Sequence, residues 1–185
     1  MGIVRQVFGV ILFSSSALAT VQIGELSMVG TGCREVSAKA PVNYDNGVIQ
    51  IPTPMAVKRA SGEPLRRVSC NFVLPIGLAA NEKLVVSQLM APGFVNLGPG
   101  TKAQINLEIF KSGARGDQLI FSEQADNGRL RKPIFFEKEG VLFESQCGES
   151  FNLRGNTSMM LSEGMKRSTA SLDLVQLQFE VQSCK

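Results

Sequence analysis

A strict two-residue alternation limits what this chain can become. Near the C-terminus Val175, Leu177, Phe179 and Val181 alternate with Gln176, Gln178, Glu180 and Gln182. On an extended strand successive side chains point to opposite faces, so this segment gathers its apolar residues on one side only as a β-strand. The same period returns in Val68, Cys70, Phe72 and Leu74, and in Ala103, Ile105, Leu107 and Ile109. Shorter candidate strands lie at residues 21–28, 48–51, 83–89, 118–122, 133–137, 141–144, 151–153 and 159–162. Asp45-Asn46-Gly47 and Asp126-Asn127-Gly128 read as tight turns, because Asn and Gly accept the positive φ that hairpins need. Pro92-Gly93, Pro99-Gly100 and Ser112-Gly113 are further breaks. Beyond the N-terminal segment no window of a dozen residues keeps i, i+3, i+4 apolar spacing. The expected fold is all-β: a single antiparallel β-sandwich domain with few or no helices. Residues 52–67, with three prolines and four basic residues, and the polar residues 163–171 are expected to be exposed loops.

The N-terminus and the cysteines set the compartment. Arg5 precedes an apolar run at residues 7–13, which leads through three serines to Ala17-Leu18-Ala19. That is the pattern of a secretory signal peptide over residues 1–19, leaving a secreted domain of residues 20–185. The run is too short to span a bilayer, and no transmembrane segment is expected in residues 20–185. Four cysteines, Cys33, Cys70, Cys147 and Cys184, are an even number on an exported chain, so two disulfides are expected. Three connectivities are open. Cys33 to Cys70 and Cys147 to Cys184 are favoured because each then closes a local loop at one end of the chain. A zinc site built from the four thiolates would need closely spaced cysteine pairs, which the chain lacks. No metal and no cofactor are expected.

Among 185 residues there is neither His nor Trp. Ser-His-Asp and Cys-His mechanisms, histidine zinc sites and histidine pH switches are therefore excluded. No G-x-S-x-G turn is present. Asp45 and Asp126 read as turn formers, and Glu108 and Glu180 as the polar faces of strands. Basic residues cluster at Lys58-Arg59, Arg66-Arg67, Arg129 with Arg131-Lys132, and Lys166-Arg167 on a chain of net charge +3. Lys58, Arg59, Arg66, Arg67, Arg129, Arg131 and Lys132 are the candidate binding residues, suited to an anionic surface such as lipid head groups or acidic polysaccharide. A nucleic-acid partner is not expected, because one Tyr and no Trp leave few rings for bases to stack on.

The order Gly30-Thr31-Gly32-Cys33, then Arg67 to Ile76 (RVSCNFVLPI), Gly93-Phe94 and Ile109-Phe110-Lys111-Ser112-Gly113 resembles a family of small secreted proteins. Cys147, Asn152-Leu153, Asn156-Thr157-Ser158 and Cys184 continue the likeness. The family is catalogued as domain of unknown function 4360. The resemblance covers nearly all of residues 20–185 and implies an exported, disulfide-bonded, mostly β domain, with no catalytic residues to carry over. The expected function is an exported, non-enzymatic structural or interaction protein of the cell envelope or extracellular space, its partner a glycan or a protein. Two alternatives stand beside it. A carboxylate-dependent glycan hydrolase would bring two acidic side chains within about 5 to 9 Å of each other. A protease-inhibitor-like domain would carry a rigid exposed loop inside a disulfide ring.

Overall fold

The computed structural model describes residues 21–33 and 42–185. The expected signal peptide lies outside the described residues. The described residues form strands and connections without a helix: β1 (Gln22–Ile23), β2 (Ser27–Val29), β3 (Asn43–Asp45), β4 (Val48–Arg59), β5 (Leu65–Gly77), β6 (Glu82–Leu97), β7 (Lys102–Lys111), β8 (Asp117–Gln124), β9 (Leu130–Glu144), β10 (Phe151–Ser162) and β11 (Ser168–Ser183). One sheet runs β1-β5-β10-β7-β8, with β2 also paired to β5, and the other runs β3-β4-β11-β6-β9. Every pairing is antiparallel. From β4 onward all connections but β7–β8 carry the chain from one sheet to the other, so 4-11-6-9 faces 5-10-7-8. That is the strand order of a jelly-roll sandwich.

Alternation is what drives the two sheets together. The inward residues of β4, β6 and β11, among them Ile51, Val57, Val95, Leu97, Leu172 and Leu177, join Phe72, Leu74, Ile105, Leu107, Met159 and Leu161 in one buried cluster. Two disulfides staple opposite parts of it. Cys33–Cys70 ties the segment after β2 to the inner face of β5, and Cys147–Cys184 ties the β9–β10 connection to the end of β11, with Cα separations of 5.3 and 6.2 Å. This is the favoured pairing. On a chain-entropy argument each closure is worth about 3 to 4 kcal/mol.

Three sequence expectations need correction. Residues 52–67 are not a loop: they form most of β4 and the start of β5, with only residues 60–64 between the strands. Among the described residues β3 pairs only with Val48–Gln50. Among the described residues no strand pairs with the rest of β4 on that side, so Pro52 and Pro54 interrupt no described ladder there. Pro92-Gly93 lies inside β6 rather than at a break. Opposite it the β11–β6 register shifts between Leu172 and Gln176, and a bulge of this kind accommodates proline in a central strand. Gly93 is required there, because a Cβ would stand 2.3 Å from the Ser171 carbonyl oxygen. Residues 163–171 are a loop only to Arg167, and the rest begins β11.

Arg59 was expected on an exposed loop, yet it is 1% exposed. As an alternate residue of β4 it points inward at the end of the sandwich. Its Nη1 donates to the carbonyls of Pro64 (3.3 Å) and Glu163, and its Nη2 to Thr101 Oγ1 (2.8 Å) and the Lys166 carbonyl (3.4 Å). Ser168 Oγ completes the cluster, donating to Thr101 Oγ1 and accepting from the Gly98 amide. No carboxylate pairs with Arg59 among the described residues, and its Nε has no partner there. Carbonyl dipoles replace the water that the cation has lost. One side chain thereby holds the β4–β5, β6–β7 and β10–β11 connections together.

Replacing Arg59 with Met leaves those acceptors without a donor. The expected cost is about 3 kcal/mol, which lowers the melting temperature by about 6 to 12 °C. R59K, which keeps the charge but lacks the planar fork, falls between the two. A melting curve of R59M superimposing on that of the parent would contradict the clamp.

Candidate binding groove

Register places a polar grid on the outer face of the β5–β10–β7–β8 sheet. Asn71, Asn156, Glu108 and Gln118 are successive cross-strand partners and form one row. Ser69, Ser158, Asn106 and Ile120 form the next, and Arg67, Met160, Gln104 and Ser122 the third. Adjacent strands lie about 4.8 Å apart and residues rise about 3.3 Å along each, so Asn156 stands about 5 Å from Asn71 and about 8 Å from Asn106, with Asn71 and Asn106 about 12 Å apart. Beneath them the inward alternates Cys70, Phe72, Leu107, Ile105 and Met159 are buried in the core. A glycine shapes this floor. The Phe72 ring lies only 2.1 Å from where a Cβ on Gly155 would stand, so β10 settles over the ring only with glycine there.

The grid opens into a shallow depression of about 400 Å³ lined by Arg67, Asn71, Asn106, Glu108, Gln118 and Asn156 together with Ser69, Thr157 and Ser158. Its internal hydrogen bonds are few and long. Asn156 Nδ2 donates to Glu108 Oε2 at 3.2 Å, Asn106 Nδ2 to Ser158 Oγ at 3.3 Å, and Gln104 Nε2 to Asn106 Oδ1 at 3.4 Å. Among the described residues the side chains of Arg67, Asn71 and Gln118 make no hydrogen bond or ion pair. Each amide offers both a donor and an acceptor, and Arg67 and Glu108 cancel in charge. The surface suits a neutral ligand rich in hydroxyl groups. Glu108 is the one carboxylate in the lining.

The seven basic candidates do not form one patch. Arg67 alone belongs to the groove. Arg59 is internal, as described above. Arg66 is exposed near the start of β5, 3.7 Å from Glu63. Lys132 is paired with Glu123 at 2.7 Å and stands over the Phe121 ring. Lys58, Arg129 and Arg131 are exposed near one end of the other sheet. Five acidic residues, Glu63, Asp117, Glu123, Glu144 and Glu149, are engaged in ion pairs. Glu149 is held below the usual carboxylate range by the hydrogen bond from Lys111 Nζ at 2.8 Å and then by the Gln146 amide at 2.7 Å. Among the described residues no three acidic or cysteine side chains gather as metal ligands would. The amides were missed because they occupy the polar half of an alternating pattern, which reads as ordinary solvated strand. Their signal is Asn at the centres of three strands, where its β-propensity is low.

The strand order and the staples define a disulfide-bonded jelly-roll domain with a polar groove on one outer face. The chain belongs to the DUF4360 family, a domain of unknown function, whose model matches residues 19–184. No curated protein sequence matches it. Among solved structures it is similar to the carbohydrate-binding module TmCBM61 in complex with β-1,4-galactotriose, at 10% identity and a TM-score of 0.30, over 84% of this chain and 88% of that one. It is also similar to a family 11 carbohydrate-binding module from Clostridium thermocellum in complex with a β-1,3-1,4-mixed-linked tetrasaccharide, at 9% identity and a TM-score of 0.26, over 90% and 91%. A chain of the infectious bursal disease virus Gx strain matches at 8% identity and a TM-score of 0.32, over 89% of this chain and 32% of that one. Likenesses this distant carry no functional argument.

Gly155→Ala is expected to lower stability by about 1 to 3 kcal/mol, because the added methyl must displace a fully buried ring. Thermal melts of G155A and of the relieving double variant G155A/F72L test this. Equal melting of G155A and the parent would remove Gly155 as the determinant of the groove floor.

Proposed function

We propose that this is an exported, non-enzymatic binding protein whose groove on the β5–β10–β7–β8 face takes a glycan. The observation that carries the reading is the convergence of Asn71, Asn106 and Asn156, on three adjacent strands, with Gln118, Ser69 and Ser158. Nothing in sheet formation asks for asparagine at these positions, and residues that work against local propensity mark functional surfaces. A sugar ring carries neighbouring hydroxyls that both donate and accept, which is the complement of paired amide groups. Export is supported by the two disulfides, which persist in oxidising compartments.

Binding without hydrolysis is favoured because glycoside cleavage works through two carboxylates, whereas Glu108 stands alone in the lining. The inhibitor alternative loses its main feature, since residues 52–67 are mostly strand.

Calorimetric titration of residues 20–185 with neutral oligosaccharides of several linkages, with product analysis of each mixture, tests the proposal. At least one should bind unchanged. Losing two amide contacts in N71A/N156A should weaken it about 5- to 100-fold at an unaltered melting temperature, since each net hydrogen bond is worth about 0.5 to 1.5 kcal/mol and both side chains are exposed. Cleavage of the sugar, or affinity indifferent to the double substitution, would overturn the reading.

A further inference from the structure

We infer that the outer face of the other sheet carries a second site, for a linear anionic polysaccharide that crosses the strands. The site is independent of the groove proposed above and lies on the opposite side of the sandwich. Its basis is a second set of cross-strand rows. Lys58, Thr169, Asn96 and Arg131 are successive partners on β4, β11, β6 and β9. Arg129 joins them by donating from Nη1 to Asn96 Oδ1 at 2.9 Å. Arg167 lines a depression of about 440 Å³ with Lys58 and Thr169.

Ion pairs take up only some of the cations on the molecule. Arg66, Lys83, Lys111, Lys132 and Lys138 each have a carboxylate partner. Lys58, Arg129, Arg131 and Arg167 are exposed and have none among the described residues. Four unneutralised charges in one strip call for an anionic partner.

The next rows supply a different chemistry. Phe94 partners Pro133, and Pro92 partners Phe135. Phe94 is 38% exposed and Phe135 73%, with Met90 exposed beyond them. An aromatic and proline platform beside a cationic strip fits a chain whose ring faces are apolar and whose edges bear acid groups.

A flat anionic membrane fits less well. Six residues along β6 from Asn96, about 20 Å away, the same face turns acidic, with exposed Glu137 and Glu139 on β9 and Glu180 on β11. A planar surface laid on the face would meet both signs of charge. A narrow chain lying along the cationic strip meets only one.

The test is binding of residues 20–185 to polygalacturonate, with dextran as the neutral control and phosphatidylglycerol vesicles as the membrane arm, each at low and high salt. The expected result is binding to polygalacturonate that weakens with salt, since exposed charges are screened. The charge reversal K58E/R131E should lower affinity about tenfold or more. F135A should lower it several-fold, and N71A/N156A should leave it unchanged. All these side chains are exposed, so matched melting temperatures confirm that the variants fold. The inference is overturned if polygalacturonate does not bind, if K58E/R131E binds it as the parent does, or if the vesicles bind instead and respond to the same substitutions.

Discussion

The burial of alternate residues between the two sheets fixes the register of each long strand, and everything on the outer faces depends on that register. A slip of one residue in β10 would turn Phe151, Leu153, Met159 and Leu161 out to solvent. At about 1.5 to 3 kcal/mol for each large apolar side chain, the penalty is comparable with the whole net stability of a domain, about 5 to 15 kcal/mol. The outward residues have no such freedom of their own. Asn156 stands between Asn71 and Glu108 because Thr157 and Gly155 face the core. The groove is thus a by-product of packing in its geometry and a matter of residue choice in its chemistry.

The same logic explains what could be read from the sequence. The cores of β5, β7 and β11 were legible because their apolar period is uninterrupted, and the disulfides because each pair is local. Proline made the remainder hard to read. Pro52 and Pro54 suggest a loop until it is known that β4 has no described neighbour on that side, and Pro92 suggests a break until the bulge in β11 is seen opposite it. Both are tertiary facts. Arg59 was misread for a related reason: beside Lys58 it looks like one half of a basic surface pair, but neighbouring residues on a strand face opposite ways. Lys58 is in water and Arg59 is in the core. For the groove, one sequence shows three asparagines about 35 to 50 residues apart, and only the pairing of β5, β10 and β7 makes them neighbours.

Charge is distributed with the same economy. Five acidic side chains are paired with basic ones, and the buried Arg59 guanidinium donates to three carbonyls and the Thr101 hydroxyl. Among the unpaired side chains, amides with one Arg and one Glu share one outer face, and four cations stand beside exposed rings on the other. The disulfides and the Arg59 cluster keep these two faces of different chemistry fixed relative to each other.

The central claim is that register, by gathering amides on one face, creates the binding surface. It is tested most directly by following the side-chain amide resonances of ¹⁵N-labelled residues 20–185 during titration with a neutral oligosaccharide. The account predicts that the largest shifts come from the NH₂ groups of Asn71, Asn106, Asn156 and Gln118, while those of Gln50, Gln176 and Gln178 on the opposite face stay still. Shifts confined to the opposite face, or none with any neutral sugar, would contradict it.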